Sequence, residues 1–119
     1  MKATNAEQQE YEIREYGEPL YQTVGKDVGG YSEIVRPVLL RDPFVMVINE
    51  EGRLRGLPIN NIPSILYGAI GHGQPIVGDV VFMKEVMTNE GPDISGLDDD
   101  DIEQLVHILT TAFVLKEKE

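Results

Sequence analysis

Three things are scarce in this sequence: cysteine, which is absent, basic residues, and long apolar runs. Without cysteine the chain has no thiol nucleophile and no cysteine-ligated zinc site, and nothing in it indicates an oxidising compartment. No apolar run approaches the roughly 20 residues that a membrane-spanning helix needs. The first ten residues also lack the apolar segment of a secretory signal. These features predict a cytoplasmic protein that does not bind membranes.

The charge balance is strongly acidic, with 10 Lys and Arg residues against 21 Asp and Glu residues and a net charge of −11. The excess is concentrated in residues 85–119, which hold ten acidic and two basic side chains. Because phosphate neutralisation dominates affinity for nucleic acids, we expect no binding to DNA or RNA. The acidic excess is either a solubilising surface or a surface for a basic partner protein, and both interpretations stay open here.

The length of 119 residues and a hydrophobic content of 41% fit one globular domain over residues 1–119. Residues 1–9 are polar, which predicts a frayed end or a short helix. Tyr11 and Ile13 alternate with charged residues, and this pattern predicts a half-buried strand.

Proline and glycine divide much of the remaining chain. Pro19 suits the first turn of a short helix, whereas Pro37 marks a sheet edge or a strand end because proline has no N–H to donate. Gly78 lies within an apolar strand and indicates a bulge or a close backbone approach. The elements predicted in this way are a helix over residues 20–24, a strand over residues 31–38, a strand over residues 75–87 and a loop over residues 88–94.

The middle of the chain predicts a β-hairpin over residues 44–60. Residues 44–48 form a continuous apolar run rich in β-branched side chains, which is typical of a central strand buried on both faces. A turn follows, with Gly52 at the position that requires a positive φ. Residues 53–55 then predict a short return strand with Leu54 pointing inward and the two flanking arginines on one outer face.

Two further helices are predicted. Asn60 or Asn61 caps a helix over residues 62–70 that carries Pro63 in its first turn. Asp98 begins a C-terminal amphipathic helix over residues 98–116. Asp101 completes a capping box with Asp98, and Leu97 and Ile102 form a hydrophobic staple. Lys116 and Lys118 lie near the end of the helix, where its dipole favours cations. The predicted fold is α+β, a mainly antiparallel sheet of about four to five strands with both helices packed on it.

No catalytic motif is recognisable, so we expect a non-enzyme without a cofactor or a metal. The four aspartates at residues 98–101 do not fit a calcium loop, because Glu103 stands where that loop needs glycine. The glycine-rich residues 68–73 follow a helix and precede a strand, the reverse of a phosphate-binding loop. They are either a flexible connection or a loop that faces a ligand, with His72 as its most versatile group.

Two sets of residues are candidates for binding. Arg53 and Arg55 on one strand face could hold a phosphate or a carboxylate with forked hydrogen bonds, or they could be the solvated side of the hairpin. Asn60, Asn61 and His72 lie in neighbouring loops of the sequence and complete the candidate ligand site. Three acidic residues on the C-terminal helix are the candidate partner-binding surface: Asp99, Asp100 and Glu103.

Four segments carry a resemblance to a known family. They are VGGYSEIV at residues 28–35, VINEEGRL at residues 47–54, GLPIN at residues 56–60 and IVGDVV at residues 76–81. Over about residues 11–87 the chain resembles a phage- and mobile-element-associated family catalogued as domain of unknown function 3846. The resemblance implies a compact α+β domain encoded by phages, prophages or plasmids. It implies no activity and transfers no functional residues.

Two alternative hypotheses about the function follow, one a protein-binding role and the other a ligand-binding role. The leading hypothesis is a non-enzymatic accessory protein of a phage or mobile element that binds a host protein in the host cytosol, for example as an anti-defence factor. The alternative is a protein that binds or sequesters a small nucleotide-type ligand. Homo-oligomerisation through the strand near Pro37 stays open.

Overall fold

The computed structural model describes residues 1–4, 10–17, 20–40, 42–68, 74–113 and 116–117. The strands are β1 (Lys2–Thr4), β2 (Glu10–Glu12), β3 (Ser32–Val35), β4 (Phe44–Asn49), β5 (Val80–Thr88), β6 (Gly91–Ser95) and β7 (Lys116–Glu117). The helices in these ranges are α1 (Leu20–Val28), α2 (Asn61–Tyr67) and α3 (Asp99–Ala112).

The strands form one sheet in the order β3-β4-β5-β1-β2-β7. Lys84 of β5 pairs with Phe44 on one side and with Ser95 on the other, so β6 lies on the β1 side of β5. The pairings are antiparallel except that of β2 with β7. The α+β prediction with a mainly antiparallel sheet is confirmed, although the described sheet has more strands than the four to five expected.

Helices cover both faces of the sheet. On one face α2 and α3 bury Leu66, Leu105 and Leu109 against alternate residues of the central strands. On the other face α1 buries Val24 and Val28. Successive strand residues point to opposite faces, so β4 supplies side chains to both clusters. The prediction that this run is buried on both sides is confirmed.

The predicted return strand at residues 53–55 is wrong. Both edges of β4 are already occupied, by β3 over Met46–Asn49 and by β5 over Phe44–Val47, so no edge is left for a third partner. Residues 50–56 instead form a compact turn, in which Leu57 N–H donates to the Gly52 carbonyl at 2.9 Å. Leu54 is 91% exposed rather than interior.

Gly52 is also not in the conformation that the sequence predicts. The positive φ belongs to Gly56, at 66°. Gly52 is needed for space, since a Cβ there would lie 2.7 Å from the Val77 Cγ2. At Gly78 the prediction of a close backbone approach is confirmed, because the Gly78 N–H donates to the Pro58 carbonyl at 2.8 Å. A Cβ there would also lie 2.9 Å from the Leu57 Cδ1.

The first residues are structured, contrary to the expectation of a frayed end. β1 lies between β5 and β2, and Met1 is buried. The Met1 α-amine donates to the Phe82 carbonyl at 3.1 Å, and burial lowers the pKa of this amine to about 6. Residues 5–9 lie outside the described ranges. A strand of three residues is too short to show a period in the sequence.

The other predicted elements differ mainly at their ends. β2 contains Tyr11 but not Ile13, and α1 continues to Val28. β3 lies at the sheet edge and ends before Pro37, as predicted. The predicted loop over residues 88–94 is wrong, because β6 begins at Gly91 and pairs with β5.

The start of α3 confirms the sequence prediction, and its end does not. Asp98 accepts from the Asp101 N–H at 2.8 Å, and the Asp101 side chain accepts from the Asp98 N–H at 3.0 Å. This is a complete capping box. The helix ends at Ala112, so Lys116 lies in β7 and not in the last helical turn. Lys118 lies outside the described residues.

Among the described residues, no helix has both the length and the apolar character that crossing a bilayer requires.

Candidate ligand-binding site

The site is built around the turn that ends α1. Gly29 and Gly30 have φ values of 90° and 152°. Gly29 N–H donates to the Lys26 carbonyl at 3.3 Å, and Gly30 N–H donates to the Gly25 carbonyl at 2.9 Å. These two bonds form a Schellman motif, in which glycine takes the left-handed position that side chains disfavour. The turn leads directly into β3.

Two side chains fix this turn, one from the last residue of β4 and one from the segment that follows it. Asn49 is buried, and its Nδ2 donates to the Val28 carbonyl at 2.9 Å. Arg55 Nη1 donates to the Gly29 carbonyl at 2.7 Å. The carbonyls of Gly25, Lys26 and Val28 at the end of α1 are thus hydrogen-bonded, and residues 50–56 are held against the glycine turn.

A substitution at Gly25 would test how tightly the glycine turn packs against α1. Alanine is normally favoured over glycine within a helix by roughly 0.5–1 kcal/mol. At Gly25, however, a Cβ would lie 2.9 Å from the backbone oxygen of Gly30. We expect Gly25→Ala to lower the free energy of unfolding by about 1–2 kcal/mol, since overpacking forces the backbone to move. Urea denaturation would measure this, with Gln22→Ala on the exposed side of α1 as the control; a stabilised Gly25→Ala would contradict the tight turn.

An open cavity of about 910 Å³ lies beside the turn. We call it the glycine groove; its lining residues are Gln22, Gly25, Lys26, Gly29, Gly30, Tyr31, Ser32 and Glu50. Its lining is predominantly apolar. Three glycines contribute backbone rather than side chains to this wall, and Tyr31 is 76% exposed.

A second cavity of about 440 Å³ shares Lys26 and Gly29 with the groove. We call it the basic cleft; its charged lining residues are Lys2, Lys26, Asp27, Arg55 and Asp79. Lys2 pairs with Asp79 at 3.5 Å.

The second acid of the cleft is also neutralised. Asp27 pairs with Arg14 at 3.1 Å and accepts from the Tyr16 hydroxyl at 2.6 Å. Burial, and then the bond to Asp27, raises the pKa of Tyr16, which therefore stays protonated and keeps donating. The remaining cations are Lys26 and Arg55, which have no carboxylate within ion-pair distance among the described residues.

The cleft keeps a net positive charge in a chain whose total is −11. A helix C-terminus carries roughly half a negative charge, and the end of α1 lies here. Two full positive charges, on Lys26 and Arg55, exceed that partial charge. This charge balance favours an anion over a cation in the cleft.

The predicted arginine pair is wrong. Arg53 donates to the Gln74 side chain, and its Nη2 donates to the Pro75 carbonyl at 3.3 Å. It lines a separate cavity of about 210 Å³, whereas Arg55 lines the basic cleft. The two cations do not share a side, because residues 53–55 form part of a turn and strand alternation does not apply to them.

Asn60 cannot contact a ligand. Its side chain is fully buried, and its Nδ2 donates to the Ala3 carbonyl at 3.2 Å and to the Gly78 carbonyl at 3.0 Å. Its assignment to the ligand site is therefore wrong. Asn60 does occupy the N-cap position of α2, but its side chain makes no capping hydrogen bond. Asn61 is exposed but lines neither the groove nor the cleft. His72 lies outside the described residues.

The acidic residues at the start of α3 divide into two groups. Asp98 and Asp101 form the helix cap and pair with Lys84, at 3.6 and 2.8 Å. The hydrogen bond from Lys84 lowers the pKa of Asp101. Asp99, Asp100 and Glu103 are exposed and make no ion pair within the described part of the chain. The same part of the chain contains no group of three or more His, Asp or Glu side chains placed to hold a metal ion.

Sequence reasoning missed Lys2, Lys26 and Tyr31. The available indication was the VGGY segment, where a glycine pair follows a helix and precedes an aromatic residue. Only the fold brings Lys2 and Arg55 to that segment.

The family model described as Domain of unknown function (DUF3846) matches residues 1–110. The chain belongs to this family. The match extends beyond the residues 11–87 that carry the sequence resemblance, and it includes β1 and most of α3. No curated protein and no solved structure matches the DUF3846 chain. Its function must therefore be argued from its own site.

Proposed function

We propose that this DUF3846 protein binds a small anionic ligand, carrying phosphate or carboxylate groups, in the basic cleft. The observation that supports this function is the pair Lys26 and Arg55, which flank Gly29 without a carboxylate partner among the described residues. In a chain with twice as many acidic as basic residues, two uncompensated cations in one cavity favour an anionic ligand.

The two cations suit different tasks. The Arg55 guanidinium has five N–H donors in a planar fork, and its bond to Gly29 fixes the group in place. Its other donors can reach an anion with two parallel hydrogen bonds. Lys26 is exposed on the last turn of α1 and supplies a mobile point charge. Binding of this kind would sequester the ligand without transforming it.

Pyrophosphate is the probe that tests this function. We expect it to bind the wild-type chain and to bind Lys26→Gln or Arg55→Gln roughly tenfold or more weakly, since hydrogen bonds between charged groups contribute about 1.5–3 kcal/mol each. Isothermal titration at low salt measures the affinity, which should fall as salt is added.

Arg53→Gln is the matched control, because Arg53 is an exposed arginine two residues from Arg55 that lines another cavity. It should leave pyrophosphate binding unchanged. Failure of the wild-type chain to bind, or an equal loss in Arg53→Gln, would contradict the function.

A second candidate function is that of a phage or mobile-element accessory protein that binds a basic host protein. It is favoured by the division of the acidic residues on α3: the fold uses Asp98 and Asp101, whereas Asp99 and Asp100 stay exposed. Complementary charge chiefly accelerates association.

The double variant Asp99→Asn, Asp100→Asn tests the second candidate. With a partner recovered from a host lysate, we expect slower association and a weaker dependence of the rate on salt. Glu90→Gln, an exposed acid outside α3, is the control. Association rates that do not change in the double variant would exclude this surface.

A further inference from the structure

The glycine groove and the basic cleft adjoin each other. Both cavities are lined by Lys26 and Gly29, so a ligand held in the cleft by its charged end has the groove beside it. The groove is the larger of the two, at about 910 against 440 Å³. Small-molecule sites commonly have volumes of about 300–1,000 Å³ and are mainly apolar with a few polar groups.

The shape of the groove suits a flat group. Gly25, Gly29 and Gly30 present bare backbone along its wall. A Cβ at Gly29 would lie 3.4 Å from the Asn49 Nδ2 and 3.5 Å from the Arg55 Nη1, in a backbone conformation that side chains rarely adopt. Because Gly29 has no side chain, nothing projects from the wall at the point where the groove meets the cleft.

Tyr31 provides an aromatic surface beside that wall. Its side chain is 76% exposed, which leaves a large ring without cover. Its backbone is fixed, because the Glu50 N–H donates to the Tyr31 carbonyl at 2.9 Å. An aromatic ring on a fixed backbone can stack on a planar ligand at a low cost in conformational entropy.

Polar groups stand around the apolar wall. Gln22, Ser32 and Glu50 line the groove and offer amide, hydroxyl and carboxylate groups. Such groups can pair with the edge of a heterocycle while its faces contact apolar surface. The groove thus combines a flat wall, an aromatic ring and polar groups, next to a cationic cleft.

From this juxtaposition we propose that the ligand is a nucleotide, with its phosphates in the basic cleft and its base stacked on Tyr31 in the glycine groove. The inference rests on the proposed anion-binding function and adds the class of ligand. A nucleotide joins a planar heterocycle with polar edges to a phosphate, which is the combination that the two cavities provide.

The test compares inorganic pyrophosphate, nucleosides and the corresponding nucleoside diphosphates, with adenine, guanine, cytosine and uracil each represented. We expect at least one diphosphate to bind the wild-type chain at least about fivefold more tightly than pyrophosphate, the smallest gain expected from one stacked base. Tyr31→Ala should remove this gain and leave the affinity for pyrophosphate unchanged. Tyr31→Phe should retain it.

Controls separate stacking from damage to the fold. Tyr31 is exposed, so Tyr31→Ala should unfold at the wild-type urea concentration. Leu54→Ala removes an exposed apolar side chain away from the groove and should change no affinity. Lys26→Gln should weaken the binding of both pyrophosphate and nucleoside diphosphates.

The outcomes distinguish the two proposals. If pyrophosphate binds through Lys26 and no nucleotide binds more tightly, the nucleotide inference is overturned while the anion-binding function stands. If neither ligand binds, both proposals fall. A nucleotide preference that survives Tyr31→Ala would also overturn the inference, because the base would then lie elsewhere.

Discussion

Asn60→Asp is expected to lower the free energy of unfolding by at least about 4 kcal/mol. The Asn60 side chain is fully buried and donates to two backbone carbonyls, those of Ala3 and Gly78. Aspartate has nearly the same shape but replaces the donor with an oxygen. Both hydrogen bonds are then lost, at about 1–3 kcal/mol each, the new oxygen faces two carbonyl oxygens, and a buried carboxylate adds a further desolvation cost.

Asn61→Asp is the matched control. Asn61 is the next residue in the chain, it is exposed, and it begins α2, where a negative charge is favourable. We expect its stability to stay within about 0.5 kcal/mol of wild type. Urea denaturation of both variants measures the difference. Equal stabilities would show that Asn60 does not connect β1 to the backbone at Gly78.

A pH series keeps the Asn60 test informative if the variant is unfolded at neutral pH. Burial should raise the folded-state pKa of the introduced carboxyl above its unfolded value. The deficit in stability should then be smallest below the unfolded pKa, where the neutral carboxyl can donate one hydrogen bond, and should grow as the pH rises. A deficit that does not depend on pH would contradict the buried carboxylate.

Leu105→Ala is expected to cost about 3–5 kcal/mol. Leu105 is fully buried on the inner face of α3, in the cluster that joins this helix to the sheet. Truncation of such a leucine removes transfer free energy and leaves a cavity that the surrounding residues fill only in part. This is a large share of the 5–15 kcal/mol that stabilises a typical domain.

Leu54→Ala makes the same chemical change at a site where the sequence also predicts an interior leucine. Leu54 is 91% exposed in the turn after β4, so we expect a change within about 0.5 kcal/mol. Thermal and urea unfolding of the two variants compare the buried and the exposed site directly. Similar losses in both would mean that residues 53–55 are packed as the hairpin hypothesis requires.

Local chemistry was readable from the sequence, and sheet partnership was not. The capping box of α3 involves residues three positions apart, and both of its hydrogen bonds form as expected. The run at residues 44–48 correctly predicted a strand buried on both faces. The strands beside β4 are β3 and β5, and β5 begins more than thirty positions after β4 ends. A local pattern cannot tell whether an edge is free.

The same limit explains the candidate site. Asn60 reads as a loop asparagine, yet the carbonyl of Ala3 lies beside it because β1 enters the middle of the sheet. Arg53 and Arg55 look equivalent in sequence but bond to different segments. Lys26 and Tyr31 are candidates for ligand binding because they line cavities beside the glycine turn, and only the folded chain has these cavities.

The central position of β1 in the sheet also affects when the sheet can form during translation. β1 precedes the residues of β5 that pair with it by about 80 positions. At roughly 5–20 residues per second, a ribosome needs on the order of 4–16 seconds to make that stretch. Throughout this interval β1 lacks the strand that pairs with one of its two edges in the finished sheet. Pairing of β1 with β5 is thus a late event in biosynthesis, and an uncovered strand edge favours the association of unfinished chains.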